Sequence, residues 1–305
     1  MKSITIYHYD AFSKEPNKGN PAGVVLNGDD LTDFEMQEIA YRAGFNETAF
    51  LVNSNVADLG IRYFSPGQEM DLCGHGTIAA VYALKSKNLL NDKSKLTIET
   101  KVGILPIRID PQADGEEYIT MKQDTPQLKD FSGSYEELAN SIGINRDDIE
   151  SDLPTVYGST GSWTLLVPIK KLNTFNKMKA NNELFPAILK EIPKASIHPF
   201  CVETYDLNAD MHARHFSSPY SGTIEDSVTG TASGVMGAYY AEYINRNFEN
   251  HLRILVEQGH EMGKDGRVLV KVSKNEKSYD IEITGTAVYV KELEIVFVTN
   301  KHNKV

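Results

Sequence analysis

Glu47 stands in Asn46-Glu47-Thr48-Ala49-Phe50-Leu51-Val52, where a helical pattern has just ended and an apolar strand begins. A carboxylate partly withdrawn from water at such a strand end has its pKa raised toward neutrality, where it can both take and return a proton. The competing reading is a solvated glutamate at a strand end. His75, directly after Gly74, can give a hydrogen bond to a substrate oxygen or have its ring satisfied by a neighbouring carbonyl. Asp226 precedes a second glycine turn, Thr229-Gly230-Thr231, where a carboxylate either caps the helix that follows or joins the chemistry. In both places a strand pattern runs into a glycine and then into a helix whose first turn is nearly free of bulk. Unpaired N–H groups and the positive end of a helix dipole face one spot there, a geometry suited to a carboxylate or a developing enolate.

Other chemistries are poorly supported. His212 and His215, with His75 and Asp226 elsewhere, could be assembled into a zinc or iron site. If Met211–Phe216 is one strand, its residues three apart face opposite sides and cannot share an ion, so no metal is expected. Gly230-Thr231-Ala232-Ser233-Gly234 lacks the lysine of a phosphate loop and no Gly-x-Gly-x-x-Gly follows a strand, so no nucleotide cofactor is expected either. The two cysteines, Cys73 and Cys201, give neither a disulfide framework nor a zinc spacing. Cys73 reads as a small buried packing residue. The charge is −11, from 42 acidic and 31 basic residues, which leaves no field to draw in nucleic acid. The most basic stretch, from Ile169-Lys170-Lys171 to Lys177-Met178-Lys179, reads as a solvated surface loop. No signal peptide or membrane-spanning run is evident, and a cytoplasmic location is expected, where the sequon Asn46-Glu47-Thr48 would go unused.

The elements that must position these residues follow from periodicity. Leu31–Ala43 is an amphipathic helix: Thr32 and Glu35 form a capping box, Met36, Ile39 and Ala40 an apolar stripe, and Gly44 the stop. Further helices begin near His75 and near Thr231. Their surroundings repeat. Arg62-Tyr63-Phe64-Ser65, then Asp71 to Thr77, then small and apolar residues in the first half match Arg214-His215-Phe216-Ser217, then Glu225 to Ala232, then small and apolar residues in the second. A strand pair follows each helix, Leu96–Glu99 with Ile104–Ile109 and Leu252–Glu257 with Val268–Val272. An offset of half the chain means duplicated domains and not a solenoid. The expected fold class is α+β, with two pseudo-symmetric halves over residues 1–125 and 126–286, each a curved sheet around a buried helix. The last strand, Ala287–Val298, is free to return to either half.

Five motifs in this order resemble the phenazine-biosynthesis isomerase (PhzF-like) family of the diaminopimelate-epimerase fold. They are Asp10-Ala11-Phe12 with Gly19-Asn20-Pro21-Ala22, Asn46 to Phe50, Arg62 to Ala80, Arg214 to Gly234, and Glu257-Gln258-Gly259 through Gly263 to Gly266-Arg267-Val268. The resemblance implies β-barrel-like halves around central helices, with a cofactor-free site in the cleft of a homodimer's subunit. It makes Glu47 the acid/base, aided by His75 and Asp226, with Asn20, Asn46, Gly74, Gly230 and Thr231 holding a small carboxylate substrate. Thr231 and Asn46 stand where serine is frequent in that family, and Ser227 where proline is. The sister epimerases use two opposed cysteines. Cys73 fills the first position, but Thr229 fills the second and cannot serve as a thiolate. The expected function is therefore a proton and double-bond shift in a small acid, with Glu47 as single base. The alternatives are a non-catalytic binder of small acids and a racemase that pairs Cys73 with Glu47.

Overall fold

A computed structural model describes residues 2–91, 93–111, 115–276 and 278–297. The chain divides into two units, Met1–Thr120 with Thr286–Val305 and Met121–Gly285. The fold is mixed α and β, with few helices and extensive sheet.

In the first unit the opening strand Lys2–Ala11 pairs antiparallel with Asn20–Val25 on one side and with Ala287–Phe297 on the other. The expected last strand thus returns to the first unit; its final residue, Val298, lies outside the described residues. Asn20–Val25 runs parallel to Glu47–Val52, which pairs antiparallel with Leu59–Phe64. Leu59–Phe64 runs parallel to Lys95–Thr100, which turns back into Gly103–Pro111. The sheet curves around the helix Gly74–Ser86, which packs on Lys2–Ala11, Asn20–Val25, Glu47–Val52 and Ala287–Phe297. Residues from His75 to Val81 in this helix are all buried, so apolar and small side chains occupy every face rather than one stripe. The amphipathic helix Asp33–Ala43 covers the outer face. Its capping box joins Thr32 and Glu35, Gly44 ends it in the left-handed region, and Met36, Ile39 and Ala40 meet Ile4, Ile6, Val25, Phe50 and Phe64.

The second unit repeats the scheme. Met211–Ala213 runs parallel to His251–Gln258, which turns back into Gly266–Lys274 and then Tyr279–Gly285. The helix Gly230–Tyr239 is buried in this sheet and continues into a single wide turn, Tyr240–Ile244. Gly237 is required by the close approach: a Cβ there would lie 2.5 Å from Val270 Cγ1. The duplication extends to side chains that have no sequence signature of pairing. Arg62 Nε donates to Glu69 at 2.8 Å while its guanidinium covers the Phe64 ring, and Arg214 Nε donates to Glu225 at 2.8 Å while covering Phe216.

Two expectations need correction. The stretch from Ile169 to Lys179 is not a solvated loop. Its lysines face outward, but Phe175 and Met178 are buried in the core of the second unit through the short helix Leu172–Lys177. Met211–Phe216 is not one strand: it breaks at Arg214 into Met211–Ala213 and His215–Phe216. Arg214 leaves the ladder because its guanidinium is held by Glu225 and by the carbonyls of Phe175 and Met178. Among the described residues no helix is long and apolar enough to cross a membrane.

Candidate active site

Glu47 opens the strand Glu47–Val52 and is paired in register with Ala22. His75 lies in the first turn of the central helix, and its Nε2 donates to Glu47 Oε2 at 3.1 Å. His75 Nδ1 lies 3.4 Å from Cys73 Sγ. Cys73 is the N-cap: its sulfur accepts the Gly76 N–H at 3.2 Å, and its carbonyl takes the Thr77 hydroxyl at 2.7 Å. The Thr77 hydroxyl also meets Tyr63 OH at 2.6 Å, which ties the turn to the strand Leu59–Phe64. The reading of Cys73 as packing alone is therefore incomplete, since it shapes the turn that aims His75. The carbonyl offered as one partner for His75 is replaced by a carboxylate and a sulfur.

The electrostatics follow from this crowding. Burial opposes charge on His75, but the Cys73 sulfur and the Glu47 carboxylate outweigh it and raise the imidazole well above its ordinary value. Burial pushes the Cys73 thiol up, with the Glu47 charge adding to the effect. The side chains of Glu47 and His75 are 18% and 10% exposed, so the pair is close to water without being immersed in it. Gly74, half-buried, begins the helix beside them. Asn46 is half-buried next to Glu47, while Asn20 is fully buried at the start of the neighbouring strand, where it pairs with Ala11.

The second unit carries the matching turn. Asp226 pairs in register with His215, and its Oδ2 accepts the Thr229 hydroxyl at 2.6 Å. Thr229 is the N-cap of Gly230–Tyr239, so Asp226 reaches the helix start through Thr229 and is not the cap residue itself. Gln258, which was not among the expected site residues, organises this turn. Its Oε1 accepts the Thr229 N–H at 3.1 Å and its Nε2 donates to the Asp226 carbonyl at 2.8 Å. The Glu257-Gln258-Gly259 motif was its only signal in the sequence. Gly230 is buried, Thr231 is half-buried, and the Thr231 carbonyl accepts from the Thr160 hydroxyl at 3.0 Å. The structure thus brings together Glu47, His75 and Gly74 in one unit, and Asp226, Gly230 and Thr231 in the other. His212 and His215 go to different partners, His212 to Glu257 and His215 to His198.

The family model described as phenazine biosynthesis-like protein matches residues 9–293, so the chain belongs to that family and is an isomerase within it. It is 52% identical to an uncharacterized isomerase, YfhB, of Bacillus subtilis, over 95% of this chain and 97% of that protein. The crystal structure of the Bacillus anthracis phenazine biosynthesis protein of the PhzF family superimposes with a TM-score of 0.96 at 59% identity, covering 97% of this chain and all of that one. The trans-2,3-dihydro-3-hydroxyanthranilate isomerase of Pseudomonas aeruginosa is 26% identical over 90% of this chain and 93% of its own length.

Proposed function

We propose that the chain moves a proton, and with it a double bond, within a small cyclic acid, with Glu47 as the general acid/base. The observation that carries this reading is the 3.1 Å contact between His75 Nε2 and Glu47 Oε2 at a helix start. Glu47 takes a hydrogen from an allylic carbon and redelivers it along the conjugated system. His75, whose charged form the Glu47 carboxylate favours, steadies the carboxylate before transfer and the developing anion after it. Gly74 presents helix N–H groups to the substrate carboxylate. Asn20, Asn46, Gly230 and Thr231 serve as substrate contacts, and Asp226, aimed by Thr229 and Gln258, as an acceptor for a substrate hydroxyl or amino group. The activity named for the Pseudomonas aeruginosa relative supports a substrate that combines carboxylate, amino and hydroxyl groups on an unsaturated ring. The reading requires no cofactor, and a homodimer in the cytoplasm is part of it.

A racemase pairing Cys73 with Glu47 is favoured by the place of Cys73 beside His75 but disfavoured by burial, which holds the thiol in its neutral form. Deuterium uptake from heavy water into a panel of small cyclic hydroxy- and amino-acids tests both. Uptake is expected in wild type and in Cys73→Ala, and absent in Glu47→Gln. Uptake persisting in Glu47→Gln overturns the assignment, and uptake lost in Cys73→Ala transfers it to the thiol reading. Binding of these acids by wild type with no exchange of any of them would favour a non-catalytic binder.

A further inference from the structure

His212, Glu257 and His260 place one potential ligand atom each within 4.8 Å of one another in the second unit, away from every residue assigned a role above except the neighbouring Gln258. We propose that they form a binding site for a divalent cation of the zinc class, with His212 Nδ1, His260 Nδ1 and a Glu257 carboxylate oxygen as ligands.

The argument rests on what surrounds each donor. His212 and Glu257 side chains are fully buried, and Nδ1 lies 3.0 Å from Oε1, close to the roughly 3.3 Å between adjacent ligands of a tetrahedral zinc ion. The other nitrogen of His212 meets Glu261 Oε1 at 3.1 Å. His260 repeats this division: its Nε2 faces Asp265 at 3.3 Å, while its Nδ1 is buried without a hydrogen-bond partner. Each imidazole therefore has an outer carboxylate, Glu261 or Asp265; the inner nitrogen of His212 is hydrogen-bonded to Glu257, and that of His260 has no partner. That is the outer arrangement which fixes the tautomer of a metal-bound histidine. Glu257 is oriented in the same manner, by the N–H groups of Tyr205 at 2.7 Å and Asp206 at 3.0 Å.

A buried nitrogen with no partner calls for an explanation, and a second one lies alongside it, since Glu261 Oε2 is also buried and unpaired on a side chain only 6% exposed. An ion bound here satisfies the first, by taking the His260 nitrogen directly, and leaves Glu261 as the group that orients His212. Two imidazoles and one carboxylate suit zinc-class ions better than calcium or magnesium, which prefer oxygen donors throughout. On binding, the ion replaces the proton on His212 Nδ1, which passes to solvent. The entry path is on the His260 side, where the side chain is 24% exposed on a short turn between the left-handed Gly259 and Gly263.

The test is zinc binding by the full chain, measured as metal retained after dialysis and by calorimetric titration with zinc chloride. One equivalent is expected in wild type, none in His260→Ala, and roughly 10–100-fold weaker binding in Glu261→Gln. Because Glu47, Cys73 and His75 also lie within ligand distance of one another, cobalt(II) is added to wild type and to Cys73→Ala. Four-coordinate visible bands without a sulfur charge-transfer band, unchanged in Cys73→Ala, place the ion at His212. A charge-transfer band that disappears in Cys73→Ala, undiminished binding by His260→Ala, or no binding by wild type each overturns the proposal. Circular dichroism and the metal-free Tm of His260→Ala separate loss of ligand from loss of fold, and added zinc must raise Tm in wild type and not in this variant.

Discussion

His198 and His215 are fully buried with their Nδ1 atoms 3.1 Å apart, and this pair sets how the protein responds to acid. His198 Nε2 donates to Met236 Sδ, so His198 Nδ1 is the acceptor and His215 Nδ1–H the donor, with both rings neutral. Burial lowers His215 to about 4 from an ordinary 6.5, against the opposing charge of Asp226. Burial and the neighbouring rings of His215 and His212 lower His198 in the same direction. A depressed histidine binds its proton in the unfolded chain first, so stability is full above the unfolded value of 6.5 and falls as the pH drops from there toward 4. At about 1.36 kcal/mol per pH unit, His215 alone accounts for a loss on the order of 3 kcal/mol across that interval. His215→Asn keeps an N–H donor for His198 and removes the titration. Urea unfolding at half-unit steps from about pH 7.5 to 4, with the slope interpreted through linkage, is expected to show a curve flatter for the variant by that amount. Parallel curves for the two proteins would refute the reasoning, because the pair would then not be excluding protons in the folded state.

Three further outcomes are expected. His75 is raised above 6.5, so the stability it gains from Glu47 and Cys73 is full below that pH and is lost as pH rises through its folded value; a stability profile flattened on the alkaline side by His75→Gln checks this. Gly237→Ala drives a methyl to 2.5 Å from Val270 Cγ1 and 3.0 Å from Val272 Cγ2, costing about 1–3 kcal/mol in chemical denaturation. Arg214→Ala leaves the half-buried Glu225 without its guanidinium and takes a donor from the Phe175 and Met178 carbonyls, and should cost about 3–5 kcal/mol, far more than removal of the exposed Arg42.

Local signals were the legible ones. The Thr32–Glu35 box and Gly44 stop are written within a dozen residues, and they place the outer helix to within two positions of where it lies. The duplication was readable because Arg62 to Thr77 and Arg214 to Thr231 each lie on consecutive strand, turn and helix. What the sequence concealed are meetings of residues far apart along the chain with no periodicity to announce them. Examples are His212 with Glu257, His198 with His215, and the hold of Arg214 on the Phe175 and Met178 carbonyls. The break at Arg214 belongs to the same class: the residues around it all have strand character, and only the distant carbonyls turn the side chain out of the ladder. Within the candidate site, the positions of Glu47 and His75 were legible, whereas the role of Cys73 as N-cap depended on the backbone turning so that a sulfur meets the Gly76 N–H.

The pairing of Lys2–Ala11 with Ala287–Phe297 has a consequence for the order in which the molecule is made. The second unit is one uninterrupted stretch, Met121–Gly285, and all of it is synthesised before the strand Ala287–Phe297 that completes the first unit. The first unit, begun before the second, is therefore completed after it. Until then the strand Lys2–Ala11 presents an open edge, the kind of surface that recruits other chains. Closing it joins strands separated by the whole second unit, a non-local pairing and a slow step by topology. Pairing with Ala287–Phe297 is what removes that edge from reach of other chains.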